Sequence, residues 1–134
     1  VDIQTNKSIL NAEHLLALYE AVGWNEENLK NERVVHDIIL KADLVTFIYE
    51  QKRLVAFGRL NYDGFIAEVK DVMTHPDFRK QGYVSKIMES IINHAGKKYS
   101  CIKIVDGGTI PKFYKKFGFL EPRNEKVYYL PLKK

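Results

Sequence analysis

Only one cysteine, Cys101, occurs in the 134 residues, which excludes a disulfide within the chain and suits a reducing compartment. No run approaches the roughly 18 consecutive apolar residues of a membrane-spanning helix. No stretch carries the charged, apolar and small-residue blocks of a signal peptide, so a cytoplasmic protein without a membrane partner is expected. Cysteine and histidine do not cluster, and nothing in their spacing suggests a bound metal. Neither G-x-x-x-x-G-K-S/T nor G-x-G-x-x-G is present, which removes the usual Walker and dinucleotide sites. Internal repeats, low-complexity tracts and linkers are also missing.

What remains is a chain with 46% hydrophobic and 28% charged residues, the balance of a soluble globular protein. Its length suits one domain spanning 1–134, with a core that needs neither disulfides nor metal. A net charge of +4 raises the question of nucleic acid. The placement of charge argues for a smaller anion. Glu13, Glu20, Glu26, Glu27 and Glu32 make the first third acidic, whereas Lys97, Lys98, Lys103, Lys112, Lys115, Lys116, Lys133 and Lys134 make the end basic. A solvated surface accounts for most of those lysines.

The chain opens on Val1 rather than methionine, and a short strand is expected over Val1 to Thr5. Asn6, Ser8 and Asn11 offer turn and N-cap side chains. Leu15, Leu18, Tyr19 and Val22 recur at helical spacing up to Gly23, and Val35, Ile38, Ile39 and Ala42 mark a second helix from about Glu26 to Ala42. His36 on that helix reads as a surface residue. Leu44 to Tyr49 and Leu54 to Leu60 are β-branched, apolar runs joined by polar Glu50-Gln51-Lys52, which predicts a hairpin. Asn61-Tyr62-Asp63-Gly64 forms the next turn, before a central strand from Ile66 to Thr74. Ile102 to Val105 is a short strand ended by Asp106-Gly107-Gly108. Pro111 starts a helix capped by Gly118, and Val127 to Leu130 closes the sheet.

The central strand runs straight into a basic turn and an amphipathic helix. After Gly82, the residues Val84, Ile87, Met88, Ile91, Ile92 and Ala95 form one apolar stripe that stops at Gly96. The start of that helix offers unpaired backbone N–H groups and the positive end of its dipole. Arg79, Lys80 and Lys86 add charge around it, so a phosphate is the expected ligand.

Arg79-Lys80-Gln81-Gly82-Tyr83-Val84 resembles the Q/R-x-x-G-x-G/A pyrophosphate loop of the GNAT superfamily, the acetyl-CoA-dependent N-acetyltransferases. Thr74-His75-Pro76 stands in place of the V-x-P that precedes it there. Phe113-Tyr114-Lys115-Lys116-Phe117-Gly118-Phe119 is similar to the F-Y-x-K-x-G-F of the same family. Leu15 to Trp24 and Val55-Ala56-Phe57-Gly58-Arg59 match its small bacterial-type members. The resemblance implies an α/β (α+β) protein with a mixed, mostly antiparallel central sheet and helices on both faces. The central strand and the strand from Ile102 splay apart to form a cleft; strand order is not derivable from periodicity.

The resemblance also implies acetyl-CoA as co-substrate. Its pyrophosphate would lie on Arg79, Lys80, Gln81, Gly82, Tyr83, Val84 and Ser85, and its pantetheine arm would pair with the backbone of Val72, Met73 and Thr74. A backbone N–H there would polarise the thioester carbonyl. The acceptor is an amine on a small molecule or a protein, and the enzyme is a monomer or homodimer. Tyr114 matches the tyrosine that protonates the departing thiolate. An alkylammonium has a pKa of about 10.4 and must lose a proton before attack. Glu68 aligns with the segment that supplies the glutamate base in histone-acetylating members, and Asp71 is its rival, able instead to orient water or backbone. Trp24 is a candidate acceptor contact or an aromatic closing the core edge. His75 reads as a loop residue, and Cys101 has no evident histidine to make it a nucleophile.

One position departs from the pattern. Val84 occupies the place of Gly or Ala, where it either obstructs the pyrophosphate or packs on the sheet with its helix; the apolar spacing favours packing. Besides the enzyme, two other classes compete: an acetyl-CoA-binding module with little or no turnover, and a basic nucleic-acid-binding domain that rests on pI alone.

Overall fold

The structure is a computed structural model that describes residues 2–25, 27–105, 111–121, 128 and 130–132. Helix α1, Ala12–Ala21, starts where the Asn11 side chain accepts a hydrogen bond from the backbone N–H of His14, and it buries Leu15, Leu18 and Tyr19. Helix α2, Glu32–Lys41, starts six residues later than the expected start at about Glu26. The Asn31 side chain accepts from Val34 N, which caps the helix there. The Asn25 amide bonds both the N–H and the carbonyl of Lys30, tying the preceding residues into a closed loop. Local side-chain bonds thus outcompete helical continuation. His36 is exposed.

Strands β1, Leu44–Glu50, and β2, Arg53–Tyr62, form the expected hairpin around Gln51 and Lys52, both of which have positive φ. Strand β3, Ala67–Thr74, follows the Asp63 turn, in which the carboxylate accepts from the N–H groups of Phe65 and Ile66. Helix α3, Tyr83–Gly96, strand β4, Ile102–Ile104, and the short helix α4, Pro111–Lys115, complete the sequence of elements. At the N-terminus a single bridge between Gln4 and Phe47 replaces the strand expected over Val1 to Thr5. The Asn6 side chain accepts from the N–H and hydroxyl of Ser8, which turns the chain away from the sheet. The Asp106-Gly107-Gly108 turn lies outside the described residues, as do Val127 and Tyr129 of the expected closing strand; Tyr128 and Leu130 are exposed.

The sheet has the order β1-β2-β3-β4, antiparallel for the first two pairings and parallel for β3 with β4. Alternation along the strands divides the core in two. One face carries Val45, Phe47, Phe57 and Met73 under α1 and α2. The other carries Leu44, Ile48, Leu60 and Val69 under Ile87, Met88 and Ile91 of α3. The α3 stripe read from the sequence is therefore the face that packs. No helix among the described residues is long and apolar enough to cross a membrane.

Helix α3 packs tightly over Gly58 of β2. A Cβ at that position would lie 2.6 Å from Cγ2 of Ile87 and 3.1 Å from Cδ1 of Ile91. Gly58→Ala is therefore expected to force α3 outward and lower stability by about 1–3 kcal/mol. The urea midpoint tests it, and a midpoint equal to wild type would show that the helix does not need this close approach.

Candidate active site

Strand β3 changes partners partway along. Ala67, Glu68 and Val69 pair with Ile102, Lys103 and Ile104 of β4, and the pairing ends there. From Lys70 to Thr74 the same edge of β3 has no strand beside it among the described residues. The register with β2 also shifts at this point. Arg59 pairs with Lys70 and Phe57 with Met73, so Asp71 and Val72 together oppose Gly58. Asp71 takes the positive φ of 55° that such a bulge calls for. The splay implied by the resemblance is thus built from a short β4 and one extra residue in β3.

Beyond the bulge opens a cavity of about 410 Å³. Val72, Met73 and Thr74 form one wall, Val22 and Trp24 after α1 a second, and Phe113 of α4 a third. Phe78, Arg79, Lys80, Gly82, Tyr83, Val84 and Ser85 complete it. The expected phosphate loop and thioester-arm residues therefore converge on one space, with Gln81 alone among them off the lining. Thr74 is buried, and its Oγ1 has no hydrogen-bond partner among the described residues. A buried hydroxyl without a partner is costly, so a ligand able to bond it gains from doing so.

The loop is shaped for an anion. Gly82 sits in left-handed backbone at φ 79°, immediately before α3, and caps the helix with no side chain. No side chain caps the first-turn N–H groups of α3 among the described residues. The hydroxyl of Tyr83 donates to Oε2 of Glu50 at 2.5 Å, which ties the first residue of α3 to the end of β1; that bond raises the phenol pKa. The Arg53 guanidinium lies 5.3 Å over the ring of Phe78, and Lys116 Nζ is 3.5 Å from Ser85 Oγ. His75 sits at the entrance to the loop, where Nδ1 accepts from the N–H of Asp77.

The three acid-base candidates lie around this cavity and not on its lining. Asp71 Oδ2 accepts from Tyr19 Oη at 2.6 Å and from Arg59 Nε at 2.8 Å. Tyr19 is fully buried, and burial followed by the Asp71 charge drives its pKa far above the ordinary phenol range. The phenol therefore stays protonated as donor. Lys30 Nζ lies 4.8 Å over the same ring and donates to the carbonyl of Trp24. Glu68 lies where β3 and β4 are still paired, on the α1 and α2 face, because its neighbours Ala67 and Val69 belong to the α3 side. Its carboxylate is 3.9 Å from Lys70 Nζ. Tyr114 on α4 sets its ring edgewise against Phe113 and Phe119, at centroid distances of 5.4 and 6.2 Å. Trp24 is 46% exposed, which suits a wall of the cavity better than a core plug.

Tyr19 and Arg59 were not foreseen as site residues. In the sequence Tyr19 shows only as part of the apolar stripe of α1. Arg59 does carry a signal. It alternates with Phe57 on one face of an otherwise apolar strand, and a cation placed so requires an acid nearby.

Val84 is half-buried, packs with the α3-side core, and touches the cavity. The packing reading is the one its surroundings support. Val84→Gly is expected to lower stability by about 1–2 kcal/mol through lost burial and helix-start entropy. Titration of both proteins with acetyl-CoA should show no tightening; a tenfold gain in affinity at unchanged stability would mean that the valine obstructs the loop.

The chain has relatives among known proteins. Residues 42–121 match the family described as Acetyltransferase (GNAT) domain. The uncharacterized N-acetyltransferase ycf52 of Porphyra purpurea is 31% identical over 121 residues, spanning 87% of this chain and 69% of the relative. The protein of the same name from Gracilaria tenuistipitata var. liui is 31% identical over 130 residues, 93% of this chain and 71% of the relative. Among solved structures, a GNAT-family acetyltransferase from Streptococcus pneumoniae superposes with a TM-score of 0.78 at 22% identity, covering 98% of each chain. Glucosamine-6-phosphate N-acetyltransferase from Arabidopsis thaliana shares the fold at TM-score 0.72 and 14% identity, covering 98% of this chain and all of the other.

Proposed function

The chain belongs to the GNAT family of acetyltransferases and is an acetyltransferase enzyme; from that premise we propose that it moves the acetyl group of acetyl-CoA directly to a primary amine. One observation carries the reading: the edge of β3 that has no strand beside it among the described residues and the N-terminus of α3 border the same cavity. An extended arm can pair with the edge while its phosphates rest on the helix start. Thr74 Oγ1, without a hydrogen-bond partner among the described residues, fits a ligand with hydrogen-bonding groups along that arm.

When bound, acetyl-CoA supplies the activated acetyl group. The chain's part begins with holding. N–H groups of Gly82 to Ser85 and the cations Arg79 and Lys80 take the phosphates, and the backbone of Val72 to Thr74 orders the arm and offers a donor to the carbonyl. Trp24 and Val22 wall the acceptor side. Glu68 takes the proton that the ammonium must lose; it is a partly exposed carboxylate on the acceptor face of β3. Asp71 suits that task less well, because its Oδ2 already holds two donors. Tyr114, on the element that brings Phe113 to the cavity, gives a proton to the departing sulfur.

Acetyl-CoA at ~100 times Kd should raise stability by ~2.7 kcal/mol, read as a melting shift. No heat and no shift at millimolar acetyl-CoA would contradict the reading. Tyr114→Phe keeps the ring and should lower kcat by up to about 10²-fold with little change in acetyl-CoA affinity. A thiol-release assay over a panel of amines provides the acceptor and the rate. Equal kcat where acetyl transfer itself limits the rate would remove Tyr114 from the chemistry, and binding without thiol release on any amine would favour a non-catalytic acetyl-CoA module.

A further inference from the structure

The geometry points to Tyr19 and Arg59 as positioning residues that act through Asp71: together they pin the bulge of β3 and so hold the free edge from Val72 to Thr74 in line for the thioester arm. The inference rests on the proposed use of that edge. Asp71 adopts left-handed backbone, φ 55°, which Asp tolerates better than most side chains but which still needs its surroundings to hold it. The demand is visible. Tyr19 reaches the carboxylate from α1 at 2.6 Å and Arg59 reaches it from the neighbouring strand at 2.8 Å, both on Oδ2. The contact crosses 52 residues of sequence between α1 and β3, and 12 between β2 and β3.

All three groups are shielded. Tyr19 is fully buried, and the side chains of Arg59 and Asp71 are 15% and 24% exposed. A charge so placed cannot drift to solvent without leaving its partner unpaired. The backbone carbonyl of Tyr19 also accepts from the N–H of Trp24, so the same residue fixes the acceptor wall and the bulge. Asp71 thereby serves as an anchor rather than a proton acceptor, and Tyr19, protonated, serves as its donor.

Amide hydrogen exchange along β3 and calorimetric titration with acetyl-CoA test this in wild type, Tyr19→Phe, Asp71→Ala and Asp71→Asn. Loss of a bond to a carboxylate should speed exchange at Asp71 to Thr74 by about tenfold or more, and leave Ile87 and Ile91 of α3 as they were. Tyr19→Phe and Asp71→Ala should weaken acetyl-CoA about fivefold or more. Asp71→Asn keeps an acceptor oxygen for Tyr19 and tolerates left-handed backbone but leaves Arg59 without its counter-charge, so its affinity should fall between those of wild type and Asp71→Ala. Equal exchange at Asp71 to Thr74 in wild type and Tyr19→Phe overturns the inference. So does faster exchange shared equally with α3, which marks a merely structural contact, or an Asn variant as impaired as the Ala variant. If wild type does not bind acetyl-CoA at all, the proposed function fails, while the exchange rates still decide whether Tyr19 pins the bulge.

Discussion

The structure depends on one interruption in a sheet. After Val69, β3 has no strand on its β4 side among the described residues, and an extra residue at Asp71 shifts its register with β2. An unpaired strand edge is ordinarily a liability, because its N–H and carbonyl groups seek partners. Here the edge faces a cavity lined by Trp24, the basic loop and Phe113. Groups left unsatisfied by folding become the groups that a ligand can satisfy.

Holding such an opening requires rigid surroundings, and the two faces of the sheet provide them differently. On the α3 side the support is apolar. Gly58, opposite the bulge, lets Ile87 and Ile91 close onto β2, and this fixes where the N-terminus of α3 lies. Tyr83 to Glu50 adds a polar tie at the same helix start. On the α1 side an apolar core is joined by a charged cluster of Tyr19, Asp71 and Arg59. Packing therefore sets the α3 end of the cavity, and a charged cluster sets the β3 edge beside it. The cost of the left-handed residue at Asp71, about 1–3 kcal/mol for such backbone, is offset where it arises.

Much of this was legible in the residues. The α3 stripe, the β1–β2 hairpin and the glycine before the basic helix start follow from periodicity and turn chemistry, and each lies where those rules put it. The start of α2 shows the limit: the apolar stripe from Val35 to Ala42 marks the helix but not where it begins, which the Asn31 cap and the Asn25 bonds to Lys30 decide. The candidate site is legible in its loop and strand, since those motifs are contiguous and line one cavity. Tyr19 and Arg59 were hidden because their meaning is a contact with Asp71 across distant elements, which no local window contains. Strand order and the splay came from family resemblance, as a parallel pairing such as β3 with β4 leaves no turn between its strands to read.

The central claim is that the thioester arm of acetyl-CoA lies along the free edge of β3 with its phosphates on the start of α3. Backbone amide chemical shifts followed by ¹⁵N-resolved NMR during titration with acetyl-CoA test it directly. The account predicts that the largest changes fall together on Val72 to Thr74 and Gly82 to Ser85, and spare the far ends of α2 and α3. Saturable binding that leaves Val72 to Thr74 unshifted would contradict it.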